Sequence, residues 1–166
     1  GADQADAVAA QGTSVSIDVR NGALEHAERS EGVDIGLRVF IGQRSAIVSG
    51  SDVRPDTIAT MAERAVAMAK EAPEDPYTGL ADASELSQAH ETLNLEMADD
   101  TPEPTAAKLE EDARRAEAAA MAVSGVTQMD AAAAGYSASD VFMATSNGFA
   151  GGVAYTGRSN SAVAIA

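Results

Sequence analysis

The sequence has no cysteine and no tryptophan, and three tyrosines and three phenylalanines are its only benzenoid side chains. Without cysteine there is no disulfide and no thiolate metal site. Basic residues are scarce: 11 Lys and Arg stand against 26 Asp and Glu, for a formal net charge of −15. Such a surface repels phosphate backbones, which argues against direct nucleic-acid binding and against an anionic membrane surface. No apolar run approaches the roughly 18 residues of a membrane span, and no charged-then-apolar leader opens the chain. A cytoplasmic protein is expected. The chain starts at Gly1 without a methionine and stops at Ala166 inside a strand pattern, which suggests a piece of a longer protein.

What is present is alternation. Val15, Ile17 and Val19 alternate with polar residues, the period-2 pattern of a half-buried strand. Asn21-Gly22 follows, a strong hairpin signal because both turn residues need positive φ. The return strand, 23–29, is polar, and Ser30-Glu31-Gly32 predicts another turn. Val33, Ile35, Leu37, Val39 and Ile41 then alternate with mostly polar residues, and Gly42-Gln43 turns the chain into a strand at 45–49. A separate first strand is predicted at 6–11, ended by Gly12. Together these make an antiparallel meander with one apolar face.

Pro55 sits at the favoured first turn of a helix that should end before Pro73. Ile58, Met61, Ala62, Ala65, Val66 and Ala69 form its apolar stripe. Residues 73–104 hold four prolines and read as a linker, with a helical turn near 84–89 and a brief strand through Leu93, Leu95 and Met97. A second helix is predicted over 105–122, with Glu110–Arg114 and Glu111–Arg115 as i,i+4 pairs and Gly125 just beyond its end. Strands are predicted at 126–134, at 139–145, and from Phe149 onward, after a second Asn-Gly signal at Asn147-Gly148. The expected fold class is α+β: a mostly antiparallel meander with helices on one face, followed by the start of a second α+β unit. The expected domains are 1–79, a linker at 80–104, and 105–166.

Catalytic chemistry has little to work with. His26 and His90 are the only histidines, and neither has the close ligand spacing of a catalytic zinc site. Ser14, Ser30 and Ser45 lack a Gly-x-Ser-x-Gly context. Gly148, Gly151 and Gly152 precede a strand and do not open a phosphate-binding helix. Asp99-Asp100 and Glu110-Glu111 read as solvated acids and helix-start charges. No catalytic, cofactor-binding or metal-ligating residue is assigned.

Several blocks nevertheless arrive in a distinctive order. The Arg-Asn-Gly hairpin, the acidic return strand, GVDIGLRVFIGQRSAIVSGSD, a Pro-opened helix and EDPYTGL form the first. An Ala/Glu-rich helix, SGV, ATSNGFAGG and TGRSNSAVAIA form the second. This series resembles the N-terminal region of the TldD/PmbA family, and the last block is closer to the PmbA (TldE) branch. The family was first described as modulators of DNA gyrase and is now regarded as bacterial metalloprotease subunits. The resemblance implies a heterodimeric complex that threads unfolded peptides into an enclosed chamber, with roles such as microcin maturation and antitoxin degradation. It implies zinc in a TldD-type partner carrying His-Glu-x-x-x-His, and none in this chain, whose nearest look-alike is Glu25-His26-Ala27-Glu28. The implied partners are thus a TldD-type subunit or second family member and unfolded peptides. Two alternatives stay open: an N-terminal fragment of a catalytic TldD-type peptidase, and a stand-alone acidic binding or scaffold domain.

Overall fold

The computed structural model describes residues 1–89, 93 and 95–166. Five strands form one antiparallel sheet: β1 (Gln4–Arg20), β2 (Ala23–Ile41), β3 (Arg44–Gly50), β4 (Gln128–Thr145) and β5 (Ala150–Ile165), in the order β3-β2-β1-β4-β5. Two helices, α1 (Pro55–Glu71) and α2 (Ala106–Met121), pack on it, and a 3-10 turn spans Ala83–Glu85. The expected α+β class holds.

Three strands are longer than the sequence pattern predicts. No break separates 6–11 from Val15; β1 runs through Gly12. No turn forms at Ser30-Glu31-Gly32; β2 runs through it with Gly32 outside the left-handed region. The stretches 126–134 and 139–145 are likewise one strand, β4. The cause is shared. A ladder between long neighbours satisfies backbone groups whatever side chains they carry, so a local Gly or Ser signal does not end a paired strand. Gly12 and Gly135 are close-approach points: a Cβ on Gly12 would lie 2.8 Å from Ser139 Oγ, and one on Gly135 2.9 Å from Ser159 Oγ.

The turns follow their chemistry. Asn21 (φ 53°) and Gly22 (φ 71°) close the β1–β2 hairpin, and Gly42 (φ 57°) the β2–β3 hairpin. Asn147-Gly148 also lies in a hairpin connection, but in a four-residue loop in which only Gly148 has positive φ (106°). Leu93, Leu95 and Met97 form no strand; the neighbouring Asn94 lies outside the described residues, as does His90.

The chain packs as two units, each drawn from three separated segments. Unit 1 comprises Gly1–Gln11, Gly32–Glu96 and Asp140–Val153. Its β2–β3 register, Leu37↔Val48 and Val39↔Ala46, puts odd residues of β2 and even residues of β3 on one face. Val39 and Val48 there bury against Met61, Ala65 and Ala69 of α1, flanked by Ile35, Leu37, Ile41 and Val66. The predicted stripe thus meets the predicted sheet face. Asp52 organises the start of α1, accepting bonds from the Arg54 amide, the Arg54 guanidinium and Thr57 Oγ1. These bonds, the Arg54 side chain first, hold the Asp52 carboxyl down at about 2.

Unit 2 comprises Gly12–Glu31, Met97–Ser139 and Ala154–Ala166. Val15, Ile17, Val19 and Ala134 bury against Leu109 and Ala113 of α2, with Tyr136 alongside. Thr105 caps α2 through Lys108 N at 3.2 Å. The Glu110–Arg114 pair forms at 2.5 Å, but Glu111–Arg115 does not: Glu111 takes Lys108 and Arg115 turns to Asp112. Asp112 is 11% exposed against 62% for Glu111, so water screens its charge less. One turn further on, buried Glu117 accepts the Gly22 amide at 2.7 Å and so ties α2 to the β1–β2 turn.

Candidate functional site

The residues that sequence reasoning weighed for chemistry are dispersed. His26 lies exposed on β2 with Nε2 3.6 Å from Glu28. Ser14 and Ser30 are exposed on their strands, and Ser45 Oγ faces Thr78 Oγ1 at 3.4 Å. Asp99 accepts the Thr101 amide, which holds its carboxyl below the usual range. Among the described residues, no three of His, Asp and Glu are grouped as metal ligands would be. The described residues therefore offer no fit to a zinc ion.

Two features do have the geometry of recognition. The first is a half-open cleft of about 360 Å³ in unit 1. Arg38 leaves the sheet on the face opposite α1, since its cross-strand partner is Ile47 while Val39 and Ala46 face the helix. Its guanidinium lies over the Phe40 ring, 5.0 Å from the centroid. Nε reaches both Asp6 oxygens, at 3.2 and 3.0 Å, and Nη2 bonds Oδ2. The Asp6 side chain is only 8% exposed and that of Arg38 40%. Residues 79–87 cross over this pair as a strap. Gln4 Oε1 accepts the Leu80 amide at 3.2 Å, Asn147 Nδ2 donates to the Ala81 carbonyl at 2.7 Å, and Asp82 and Glu85 cap one another reciprocally. Leu80, Leu86, Met143 and Phe149 supply apolar wall. Sequence reasoning missed this site. Its signal was present in weak form: Asp6 and Arg38 are the charges that interrupt two otherwise apolar stretches, 32 positions apart.

The second feature is a difference between two sheet edges of unit 2. β3 pairs only with Ile35–Ile41, so the start of β2 is an edge, and β5 is the edge on the other side. Residues 23–31 are exposed throughout and carry Glu25, His26, Glu28, Arg29 and Glu31. Charges of this density are how natural proteins guard an edge. β5 has one charged residue, Arg158, and its residues 157–165 are exposed on both faces, with Val163 and Ile165 about half accessible. Thr156 is tethered, its amide to the Met97 carbonyl at 3.0 Å and its Oγ1 accepting the Asp99 amide at 2.7 Å. The sparsely charged, two-faced β5 edge has the form that accepts another strand.

Comparison with known proteins agrees with this fold. Residues 5–69, from β1 through most of α1, match the family described as PmbA/TldA metallopeptidase domain 1. The chain is 28% identical over 119 residues to Metalloprotease PmbA of Escherichia coli O157:H7, a match covering 69% of this chain and 26% of that protein. It thus spans about a quarter of the length of this curated relative. Among solved structures, TldE from Thermococcus kodakarensis superposes with a TM-score of 0.69 at 15% identity, over 93% of this chain and 34% of that one. A candidate modulator of DNA gyrase from Bacteroides thetaiotaomicron gives 0.69 at 17% identity, over 98% and 37%. One from Thermotoga maritima MSB8 gives 0.66 at 13% identity, over 98% and 36%. The structural likenesses carry the fold, and the family match is carried by residues 5–69, which fit the PmbA/TldA metallopeptidase first domain, beside the similarity to Metalloprotease PmbA.

Proposed function

We propose that this chain is the N-terminal region of a PmbA/TldE-like subunit of a metallopeptidase complex that cleaves unfolded peptides, and that it is itself non-catalytic. The observation that carries the reading is the first-domain match over residues 5–69 together with the similarity to Metalloprotease PmbA. The TldE-like block from ATSNGFAGG onward supports the branch. Zinc and the catalytic His-Glu-x-x-x-His belong, in this reading, to a TldD-type partner. Unfolded peptides are the substrates, and the complex works in the cytoplasm without contacting nucleic acid or membrane. No helix among the described residues is long and apolar enough to cross a membrane.

The role of this region is to shape the wall of a chamber shared with the partner. The β5 edge supports that role, because main-chain pairing there reads no sequence and fits assembly through an added strand. The neighbouring strand comes either from the same longer polypeptide or from the partner. Residue-resolved amide exchange on the longer protein, alone and mixed with a TldD-type subunit, separates these sources. Protection of the outward β5 amides in the longer protein alone assigns the neighbour to its own chain; protection only on mixing assigns it to the partner. Fast exchange in both states contradicts the proposed role of this edge.

A further inference from the structure

We infer that the unit 1 cleft is a binding site for a small carboxylate carrying an apolar side chain, as at the C-terminal residue of a peptide. The inference is independent of the subunit reading, since it rests on Arg38 and its surroundings alone. A guanidinium has two edges that can each grip a carboxylate. Asp6 occupies the edge made by Nε and Nη2. Nη1 has no partner among the described residues, so the edge made by Nη1 and Nη2 is open. Both the Asp6 bonds and the Phe40 ring fix the guanidinium plane before any ligand arrives. A pre-oriented donor loses little freedom on binding. Asp6 also cancels the charge of Arg38, so the site would select by hydrogen-bond geometry and not by bulk attraction, which a chain of net charge −15 cannot offer an anion.

The rest of the cleft sets the other half of the specificity. Leu80, Leu86, Met143 and Phe149 line it beside Arg38, with room of about 360 Å³; Glu85 also lines it, one carboxylate oxygen accepting the Asp82 amide at 3.0 Å. That space suits one medium apolar side chain and its carboxylate. The strap over the cleft is held by side chain to main chain bonds from Gln4 and Asn147.

The test uses the full 166-residue chain, isotopically labelled, and follows backbone, Arg38 side-chain and Met143 methyl resonances. N-acetyl-leucine is titrated first, then N-acetyl-leucinamide, which keeps the side chain and removes the carboxylate. Saturable shifts confined to Arg38, Leu86, Met143 and their neighbours are expected for the acid, with a Kd of the order of 1 mM for so small a ligand. The amide should bind about tenfold more weakly or not at all. Equal binding of acid and amide, shifts elsewhere, or no saturable shift would each overturn the inference. Arg38→Lys should keep the charge and the Asp6 pair but lose the acid's advantage, because an ammonium has no second planar edge. Should that variant not fold, the acid–amide comparison on the unaltered chain still decides. Acetyl-Ala-Ala-Leu supplies the last arm: tighter binding than N-acetyl-leucine assigns the site to a peptide end, and equal binding to a free small acid.

Discussion

Single residues decide more of this fold than their chemistry advertises. Gly12 interrupts a strand pattern in the sequence yet lies inside β1, where an added Cβ would press on Ser139 Oγ at 2.8 Å and the Ala138 carbonyl at 3.1 Å. The serine can rotate away, while the carbonyl belongs to a paired strand and can give only a little. Gly12→Ala should therefore cost about 1–2 kcal/mol, with part recovered by Ser139→Ala. Gly32 has nothing within 4 Å of a built Cβ and no positive φ, so Gly32→Ala should be neutral or stabilise by about 0.5 kcal/mol. Urea melts of the variants check both. Asp52 sets an acid limit. Its folded value of about 2 lies below the ordinary carboxylate value of about 3.9. Its contribution is thus complete above about pH 4 and fades as pH falls toward about 2. Melting temperatures of the parent and Asp52→Asn should differ at neutral pH and converge near pH 2. A constant difference across that window would contradict the assignment.

At the scale of elements, the sequence was most legible where a period and a cap coincide. Pro55, the Met61-Ala65-Ala69 stripe and the helix end before Pro73 all appear where the pattern placed them. So do α2 and the two turns at Asn21-Gly22 and Gly42. What the pattern could not show was strand length. Residues 23–34 have no buried face, so they give no alternation to follow, and their extended state comes from pairing with β1 across the hairpin. The Asp6–Arg38 site was hidden for the same reason: its parts meet only across strands. The face assignment, by contrast, can be tested directly. Val39 is 3% exposed and packs against α1. Val39→Asp should unfold unit 1, because an unpaired buried charge costs several kcal/mol or forces protonation. Leu37 is only half-buried at the margin of the same cluster, so Leu37→Asp should destabilise by less. Equal and small effects at both positions would place α1 on the other face.

For the whole molecule, the first-domain match over residues 5–69 stands beside an exposed β5 edge. Val163→Asp tests the edge. Val163 is 54% exposed, so in the chain alone the charge should cost less than about 1 kcal/mol. In the longer protein that the proposed function implies, the same charge meets whatever pairs with β5. Loss of folding there would mark a neighbour within the subunit; intact folding with lost assembly or cleavage would mark the partner. Survival of all three would contradict any pairing role for β5. The central claim, a non-catalytic PmbA/TldE-like subunit, is tested most directly by reconstitution. The longer protein, a TldD-type subunit from the same source, and their mixture are each assayed on one unfolded peptide, with zinc measured by elemental analysis after dialysis. The account predicts cleavage by the mixture and zinc retained only by the TldD-type subunit. Cleavage by the longer protein alone, with zinc bound to it, would contradict the account.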